Sequence, residues 1–455
     1  MIHEKLARLG IVTVLLLAFA SPLSAEWKEK VLYSFQGGAN DGFFPAGGVV
    51  FDKQGNLYGA TTGGGPATCA PFGSECGTVF QLSPPAQKGG SWTETLLYQF
   101  QGKGSNDGSV PNGGLIIDAA GNLYGMTAYG GTGYCLLLGA NAGCGTVYEI
   151  SPPQQPGGAW TETILYSFPT AKEGYLPNGN LVFDSAGNLY GATTFGGDEG
   201  TTCDSLYGGQ CGVAFELNPP KTKGGGKWTE KVLHGFAGGT DGAEPNGGLV
   251  LNSNGAVSGT TFSGGNQSCK GDGNVGCGTV FELAPQTITA AHWTETILHR
   301  FRGYPGDGEL PSAGLVSDAE GNVYGTATGG GSDAAGIVFG LSKAGGHWAE
   351  SILHTFTGTT DGALPHAGLT FDSLGNLYGG ARGGTLPGGV AFRLSPKRTG
   401  NWGYSLLYNL GGPPNGKWPD STLVFEGPLL CGTTTEGGSG GTCEQGCGTI
   451  FELGP

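Results

Sequence analysis

Short runs of apolar and polar residues alternate along most of the chain and are separated by glycine, proline, asparagine and aspartate. In one stretch, Leu181-Val-Phe-Asp184 is followed by Gly187-Asn188 and then by Leu189-Tyr-Gly-Ala-Thr-Thr194. Runs of this length and composition, bounded by turn residues, are typical of β-strands. No part of this unit shows the periodicity of an amphipathic helix. The pattern therefore predicts short strands joined by tight turns.

One unit of this kind recurs seven times, and each copy starts with a tryptophan. The seven tryptophans are Trp27, Trp92, Trp160, Trp228, Trp293, Trp348 and Trp402. Each copy holds four β-rich runs: an apolar run (a), a Leu-Tyr-Gly-Ala-Thr run (b), a Gly-Thr-Val-Phe-Glu-Leu run (c) and the Trp-Thr-Glu-Thr-Ile-Leu-Tyr run (d). A four-stranded meander repeated seven times indicates a propeller, whose radial closure protects the sheet edges.

The predicted fold is all-β, a seven-bladed β-propeller of four-stranded blades in one domain at residues 26–455. The first repeat opens with a d run at 27–35, and the last ends with a c run at 448–453. We therefore expect the N-terminal d strand to pair with the C-terminal blade and close the ring. The Asp-x-x-Gly-Asn links, such as 184–188, predict tight hairpins in which the aspartate is structural.

The N-terminus has the layout of a secretory signal peptide at residues 1–25. Lys5 and Arg8 precede an uncharged stretch at 9–20, and small residues follow up to Ala25. Cleavage is expected after Ala20 or Ala25, and an uncleaved anchor is the alternative. No second hydrophobic run follows, so we expect a soluble mature protein with no membrane span after removal of the signal. We expect it to be secreted, extracellular or periplasmic, and monomeric.

Composition narrows the class of protein. Glycine supplies 94 of 455 residues, about three times the usual share of roughly 7%. Apolar runs interrupt it, which excludes collagen. With 38% hydrophobic and 13% charged residues, the chain can form a core and is not disordered. Its net charge of −15 opposes nucleic-acid binding, because phosphates are repelled.

Ten of the eleven cysteines form close pairs in the sequence. The pairs are Cys69/Cys76, Cys135/Cys144, Cys203/Cys211, Cys269/Cys277 and Cys443/Cys447. In an exported chain, local disulfides are the natural interpretation. Zinc is the alternative, although no histidine-rich partner segment lies near the pairs. Cys431 remains as a buried free thiol.

The segments that carry the repeat also resemble a known family. Leu-Val-Phe-Asp-Ser-Ala-Gly-Asn-Leu-Tyr-Gly-Ala-Thr-Thr at 181–194, with Leu-Tyr-Ser-Phe before it and Cys-Gly-Thr-Val-Phe-Glu-Leu in sister copies, is similar to the GloVer (Gloeobacter/Verrucomicrobia) tandem repeat of secreted bacterial proteins. The resemblance implies an exported, often surface-anchored repeat protein with no general catalytic motif. Because the chain ends at 451–455 without a sorting tail, we expect free release.

Two recurrent positions in the loop from d to a carry polar side chains. An Asp-Gly or Glu-Gly pair could bind cations or hydroxyl-rich ligands, but it is also ordinary turn chemistry. The position after the next proline should lie near the channel opening. It is occupied by Ala46, Asn112, Asn178, Asn246, Ser312, His366 and Asp420. Asparagine both donates and accepts, which suits sugar hydroxyls, and the alternative is that each side chain caps its own loop.

A single site is expected where the seven-fold pattern breaks. The loops from b to c in repeats five and six, 329–336 and 383–389, are short and lack cysteine, which predicts a lowered rim. Arg302, Arg382 and His366 fall near it, with His366 a candidate general base and arginine a charge neutraliser. Arg382 stacking on a strand is the alternative.

Aromatic and histidine side chains elsewhere divide between packing and binding roles. Trp418, outside the register of the leading tryptophans, is a candidate for sugar stacking. His234, His299 and His354 replace a tyrosine of strand d and are interpreted as packing residues.

Two functional hypotheses follow from these patterns. The first is a secreted binding or scaffold module for extracellular polysaccharide or cell-surface glycan, with Asn112, Asn178, Asn246, Asp420, Trp418 and Arg302 as ligand contacts. The second is a polysaccharide lyase or glycoside hydrolase at the lowered rim, using His366 and Arg382. No motif indicates a cofactor or a metal site, and whether the protein is an enzyme is left open.

Overall fold

The computed structural model describes residues 26–455, with gaps at 67, 70–73, 138, 156, 198–202, 204–209, 222–225, 267, 270–275, 287–291, 386 and 399. The predicted signal peptide lies outside the described residues and stays a prediction. The described chain forms seven four-stranded antiparallel blades arranged as a β-propeller. The predicted fold is therefore confirmed.

The strands of the seven blades follow the predicted runs. The a strands are Gly42–Phe51, Ile116–Ile117, Tyr175–Phe183, Val250–Leu251, Val316–Ser317, Thr370–Phe371 and Val424–Glu426. The b strands are Leu57–Gly64, Leu123–Gly130, Leu189–Phe195, Val257–Thr261, Val323–Ala327, Leu377–Ala381 and Leu429–Thr434. The c strands are Thr78–Ser83, Thr146–Ser151, Val213–Asn218, Thr279–Pro285, Ile337–Ala344, Val390–Pro396 and Thr449–Gly454. The d strands of blades 1 to 6 are Thr93–Gln99, Thr161–Ser167, Thr229–Gly235, Trp293–Arg300, His347–Thr355 and Trp402–Asn409.

Blade 7 takes its d strand from the N-terminus. Lys28–Ser34 pairs antiparallel with Thr449–Gly454, with Val31 opposite Phe451. Each blade has the order a-b-c-d, so this strand completes the last blade as predicted. The ring is closed by one strand from one end of the chain and three from the other.

Short elements extend the loops of the blades. A strand at Gly108–Pro111 joins blade 2 beside its b strand, and a 3-10 turn at Lys103–Ser105 precedes it. Two-residue strands pair at Thr68–Cys69 with Ser74–Glu75, Leu136–Leu137 with Ala140–Asn141, Gly308–Glu309 with Gly329–Gly330, and Gly416–Lys417 with Glu436–Gly437. These additions lie in or beside the b-to-c and d-to-a loops.

The core lies between neighbouring blades. A phenylalanine after strand d packs edge-to-face on an aromatic ring of strand c in the next blade, with centroids 5.0 to 5.4 Å apart. The pairs are Phe35/Phe80, Phe100/Tyr148, Phe168/Phe215, Phe236/Phe281, Phe301/Phe339 and Phe356/Phe392. Such pairs contribute about 0.5–1.5 kcal/mol beyond burial. The same aromatic contact thus recurs at six of the seven blade junctions, and Leu410 packs near Phe451 at the seventh.

All five predicted disulfides are present, and each closes a turn of four to nine residues within a b-to-c loop. The Cα atoms of the bonded pairs are 5.1 to 5.6 Å apart, within the range of separations found for bonded cysteines. Cys431 is free and buried, as expected. The disulfides fit an oxidising compartment, and secretion itself stays a prediction.

Candidate functional site

The loops from d to a share one backbone contact at all seven blade junctions. The residue before the proline donates its N–H to the carbonyl that precedes strand c of the preceding blade, at 2.7 to 3.3 Å. The donors are Phe44, Val110, Leu176, Glu244, Leu310, Leu364 and Trp418, all with φ between 49° and 63°. The acceptors are Cys447, Cys76, Cys144, Cys211, Cys277, Ala335 and Gly388. The d-to-a and b-to-c loops therefore lie on one face, as expected.

The aspartates of the Asp-Gly pairs are used within these loops. Asp107 accepts the hydroxyl of Tyr98 at 2.9 Å and the backbone N–H groups of Gln101 and Gly108 at 2.7 and 2.6 Å. Asp41 makes the same three kinds of bond in the first copy. These contacts support the structural interpretation for Asp41 and Asp107 over a binding role.

The positions after the prolines converge on one cavity at the propeller axis. The cavity has a volume of about 310 Å³ and receives residues from all seven blades. Its polar lining includes Asn112, Asn178, Asn246, Ser312, His366 and Asp420. Blade 1 contributes Gly47 and Gly48 rather than Ala46. The structure thus brings together six of the seven positions that the sequence predicted near the channel.

Glycine before strand a allows the inner strands to approach one another around this cavity. Gly113 has φ +103°, and a Cβ built on it would lie 2.0 Å from the carbonyl oxygen of Gly179 in the next blade. No side chain fits that space, so a substitution here would push the two blades apart. The width of the channel is therefore set by backbone contact.

The asparagines of the cavity differ in how far their bonding capacity is used. Asn178 donates to the Oδ1 of Asn246 at 3.3 Å and accepts the N–H of Gly179 at 2.8 Å. Thr194 also donates to Asn246, at 3.0 Å. Within the described chain, the side chain of Asn112 has no hydrogen-bond partner. Contacts within the protein therefore use part of the hydrogen-bonding capacity of the Asn178 side chain, whereas the amide group of Asn112 is not used in this way.

Arg382 and Asp420 form a bidentate pair at the edge of the cavity. The Nε and Nη2 atoms of Arg382 donate to the two carboxylate oxygens at 2.7 and 2.6 Å. Thr435 donates to the same carboxylate at 2.8 Å. The guanidinium carbon lies 4.7 Å from the ring centre of Trp418, and the Nζ of Lys417 lies 4.3 Å from it. Arg382 is thus held by a charge pair and a cation–π contact.

His366 lies in the same cavity as a neutral side chain at pH 7. Its Nδ1 is 3.5 Å from the Oγ of Ser312. Burial lowers the pKa of His366, and the charge of Arg382 lowers it further, while Asp420 acts in the opposite direction. An uncharged imidazole that faces a cavity has the protonation state required of a general base.

Arg302 is placed away from these residues. Its Nε contacts the Oδ2 of Asp307 at 3.1 Å, and 70% of its side chain is exposed. It is not part of the cavity lining. The structure therefore does not bring Arg302 to the channel, and its role in ligand binding stays a prediction.

Histidine clusters between blades are a candidate feature that sequence reasoning missed. His234 and His299, interpreted as packing residues, each lie between an Asp-Gly aspartate and the glutamate of the next strand d. The signal available in the sequence was the histidine at these two positions of strand d, where other repeats have tyrosine. The glutamate partner was not visible, because it lies one full repeat further along the chain.

Comparison with known proteins was made by sequence and by structure. The sequence profile of the Gloeobacter/Verrucomicrobia repeat matches residues 22–271 and 134–384. No curated protein sequence matches the chain. In the described residues, no helix has the length and apolarity to cross a bilayer.

Several solved structures resemble the chain weakly. A protein from Lactobacillus plantarum is 13% identical with a TM-score of 0.49, covering 81% of this chain and 87% of its own. A putative 6-phosphogluconolactonase from Bacteroides uniformis is 15% identical with a TM-score of 0.47, covering 80% and 87%. The aldose sugar dehydrogenase of Streptomyces coelicolor is 15% identical with a TM-score of 0.42, covering 94% and 98%. Likeness at this level carries no argument about activity.

Proposed function

The chain belongs to the Gloeobacter/Verrucomicrobia repeat family, and we propose that it is a secreted binding protein whose channel cavity takes a sugar unit of an extracellular glycan. The observation that carries the proposal is the convergence of polar side chains from six blades on one cavity. Amide, hydroxyl and imidazole groups that can both donate and accept match the hydroxyls of a sugar.

The size of the cavity limits what it can hold. Its volume of about 310 Å³ is at the small end of ligand pockets, which span about 300–1,000 Å³. A terminal sugar or a short branch fits this space better than the middle of a long chain. The ligand is therefore expected to enter end-on from the face that carries the d-to-a loops.

Trp418 would supply an apolar surface from beside the cavity, whose lining residues do not include it. It is half-buried in the d-to-a loop that precedes Asp420, with a left-handed φ of 63°. The hydrogen bond from its backbone N–H to the carbonyl of Gly388 fixes this loop against blade 6, whose b-to-c loop is short. A ring presented beside polar groups can pack on the apolar face of a sugar.

A glycan array followed by calorimetry on the best ligand tests the proposal. The variants Asn112→Ala and Trp418→Ala should each weaken binding by about tenfold, which corresponds to one lost hydrogen bond or contact of about 1.4 kcal/mol. Leu374→Ser, at a side chain 81% exposed in the hairpin between strands a and b of blade 6, is the control and should bind as the wild type does. Absence of any glycan binding, or unchanged binding by both Asn112→Ala and Trp418→Ala, would refute the proposal.

Catalysis at the same cavity is the second candidate. The neutral imidazole of His366 beside the Arg382–Asp420 pair favours a lyase or hydrolase acting on a carboxylated polysaccharide. In such a reaction His366 would act as the general base, and Arg382 would neutralise charge. The variants His366→Ala and Arg382→Ala should abolish turnover of uronate polymers. Equal turnover by wild type and variants would remove these residues from any mechanism.

A further inference from the structure

Three side chains with metal-binding chemistry meet between blades 3 and 4, outside the channel. His234 lies on strand d of blade 3, Asp241 lies in the loop that follows it, and Glu295 lies on strand d of blade 4. The Nε2 of His234 is 3.2 Å from the Oδ2 of Asp241 and 3.7 Å from the Oε1 of Glu295. One ligand atom from each residue lies within 4.8 Å of the others.

The ion pairs described for Asp241 and Glu295 are both with the imidazole of His234. Arg300 acts on Glu295 only from further away, since its Nε donates to the carbonyl of Thr240 at 2.9 Å. The Oε1 of Glu295 is buried and accepts no hydrogen bond from any described residue. Two facing carboxyl groups repel each other unless they share a proton or a cation. The equivalent oxygens of Glu94, Glu162, Glu230 and Glu350 lack a donor in the same way, so it is the added imidazole of His234 that makes this cluster a ligand set for a cation.

The next blade junction repeats the same arrangement with an arginine beside it. His299, Asp307 and Glu350 repeat the cluster, with His299 Nε2 at 3.3 Å from Asp307 and 3.5 Å from Glu350. There Arg302 donates to Asp307 at 3.1 Å. Ala237 occupies the position equivalent to Arg302 in the preceding repeat. The first cluster therefore lacks the cation that the second one has.

We propose that His234, Asp241 and Glu295 bind a divalent transition-metal ion, Zn²⁺ in preference to Mn²⁺, and that the bound ion joins blade 3 to blade 4. Zinc bonds to nitrogen and carboxylate oxygen at about 2.0–2.2 Å. Ligand atoms of a tetrahedral site are then about 3.3–3.6 Å apart, close to the separations in this cluster. An imidazole ligand and the Irving–Williams order favour Zn²⁺ over Mn²⁺.

The fourth coordination position would be filled by water. The side chains of His234 and Asp241 are 23% and 22% exposed, so an ion can reach the cluster from solvent. This site is independent of the proposed glycan cavity, since none of its three residues lines that cavity.

Other blade junctions supply matched controls for the ligand set. Between blades 5 and 6, His354 and Asp361 are present, but Tyr404 replaces the glutamate and stacks on His354 with centroids 4.3 Å apart. Between blades 1 and 2, Tyr98 replaces the histidine and keeps the hydrogen bond to Asp107 at 2.9 Å. The fold therefore tolerates tyrosine at the histidine position.

Calorimetric titration of the EDTA-treated, full-length mature protein with Zn²⁺ tests the site. His234→Tyr, which reproduces the natural junction at Tyr98, should weaken Zn²⁺ binding at this site at least 100-fold, since even outer partners of metal ligands contribute about 10- to 100-fold. Glu295→Gln should also weaken binding. The control His354→Tyr should bind Zn²⁺ as the wild type does, and circular dichroism should show that each variant is folded.

Cobalt provides a second readout that a purely structural role would not change. Co²⁺ bound to the wild type should give visible absorption bands of a site with a nitrogen ligand, and His234→Tyr should lose them. The proposal is overturned if the wild type binds no Zn²⁺, or if folded His234→Tyr keeps the affinity and the cobalt spectrum. It is also overturned if His354→Tyr loses binding as His234→Tyr does.

Discussion

The carboxyl group of Glu230 should make the stability of the propeller depend on pH. Glu230 lies on strand d of blade 3 and packs against blade 2, where the hydroxyl of Tyr166 donates to its Oε2 at 2.7 Å. Its Oε1 is buried and has no hydrogen-bond donor among the described residues. Burial raises the pKa of Glu230 from 4.5 to about 7; the bond from Tyr166 lowers it and the charge of Glu173 raises it further. The perturbation we choose is Glu230→Gln.

The sign and size of the effect follow from the raised pKa. Between pH 4.5 and about 7, the folded protein holds a proton that the unfolded chain has released, so the free energy of unfolding falls as pH rises. The stabilisation is complete below pH 4.5 and lost above about pH 7. At about 1.36 kcal/mol per pKa unit, the loss is at most about 3 kcal/mol. Glutamine stays neutral, so Glu230→Gln should escape it.

Urea unfolding at pH 4.5, 6 and 8, followed by tryptophan fluorescence, measures this difference. The free energy of unfolding of Glu230→Gln relative to wild type should increase by up to about 3 kcal/mol between pH 4.5 and pH 8. Other buried carboxyl groups, such as those of Glu94 and Glu162, contribute equally to the pH dependence of both proteins, so their effects cancel in the difference. Glu320→Gln, at an exposed hairpin residue, is the control and should follow the wild type. Parallel pH profiles for wild type and Glu230→Gln would refute the reasoning.

Three further predictions concern packing, thiols and the channel. Phe35→Ala removes a fully buried ring from the closing blade, 5.2 Å from Phe80, and should lower the unfolding free energy by about 3–5 kcal/mol in chemical denaturation. Burial raises the pKa of the Cys431 thiol to about 12, so thiol labelling should find no reactive group in the native protein and one after unfolding without reductant; more than one would contradict five disulfides. Arg382→Ala leaves Asp420 without its bidentate partner and should cost about 1–3 kcal/mol in denaturant unfolding, whereas an unchanged midpoint would show that the pair adds no stability.

The architecture could be predicted from the sequence because the turn residues, the strand runs and the repeat period all indicate the same fold. Turn residues mark the hairpins, the strand runs recur with the tryptophan period, and the d run at 27–35 has no partner except the C-terminal blade. The structure pairs this run with Thr449–Gly454. The channel positions were also predictable, since a fixed place in each repeat must occupy a fixed place around the axis.

The seven left-handed residues before the prolines could not be predicted from residue type. Val110 and Leu310 have φ of 57°, although apolar side chains with a Cβ disfavour that region and such backbone costs about 1–3 kcal/mol. The conformation is held by a hydrogen bond to the preceding blade, which exists only once the ring is assembled. Local sequence preference was overridden by a contact across the blade junction.

The same reason explains why the histidine cluster was missed and suggests where specific functions of repeat proteins should be sought. His234 and Asp241 are seven residues apart, but Glu295 comes from the following repeat and meets them only because adjacent d strands face each other. The consensus glutamate occurs at most junctions, so it carries no information alone. Replacement of tyrosine by histidine turns a structural hydrogen bond into a candidate ligand set, and Ala237 stands where the second cluster has the contacting Arg302. Differences between aligned repeats, considered in neighbouring pairs rather than singly, therefore identify candidate sites that the consensus conceals.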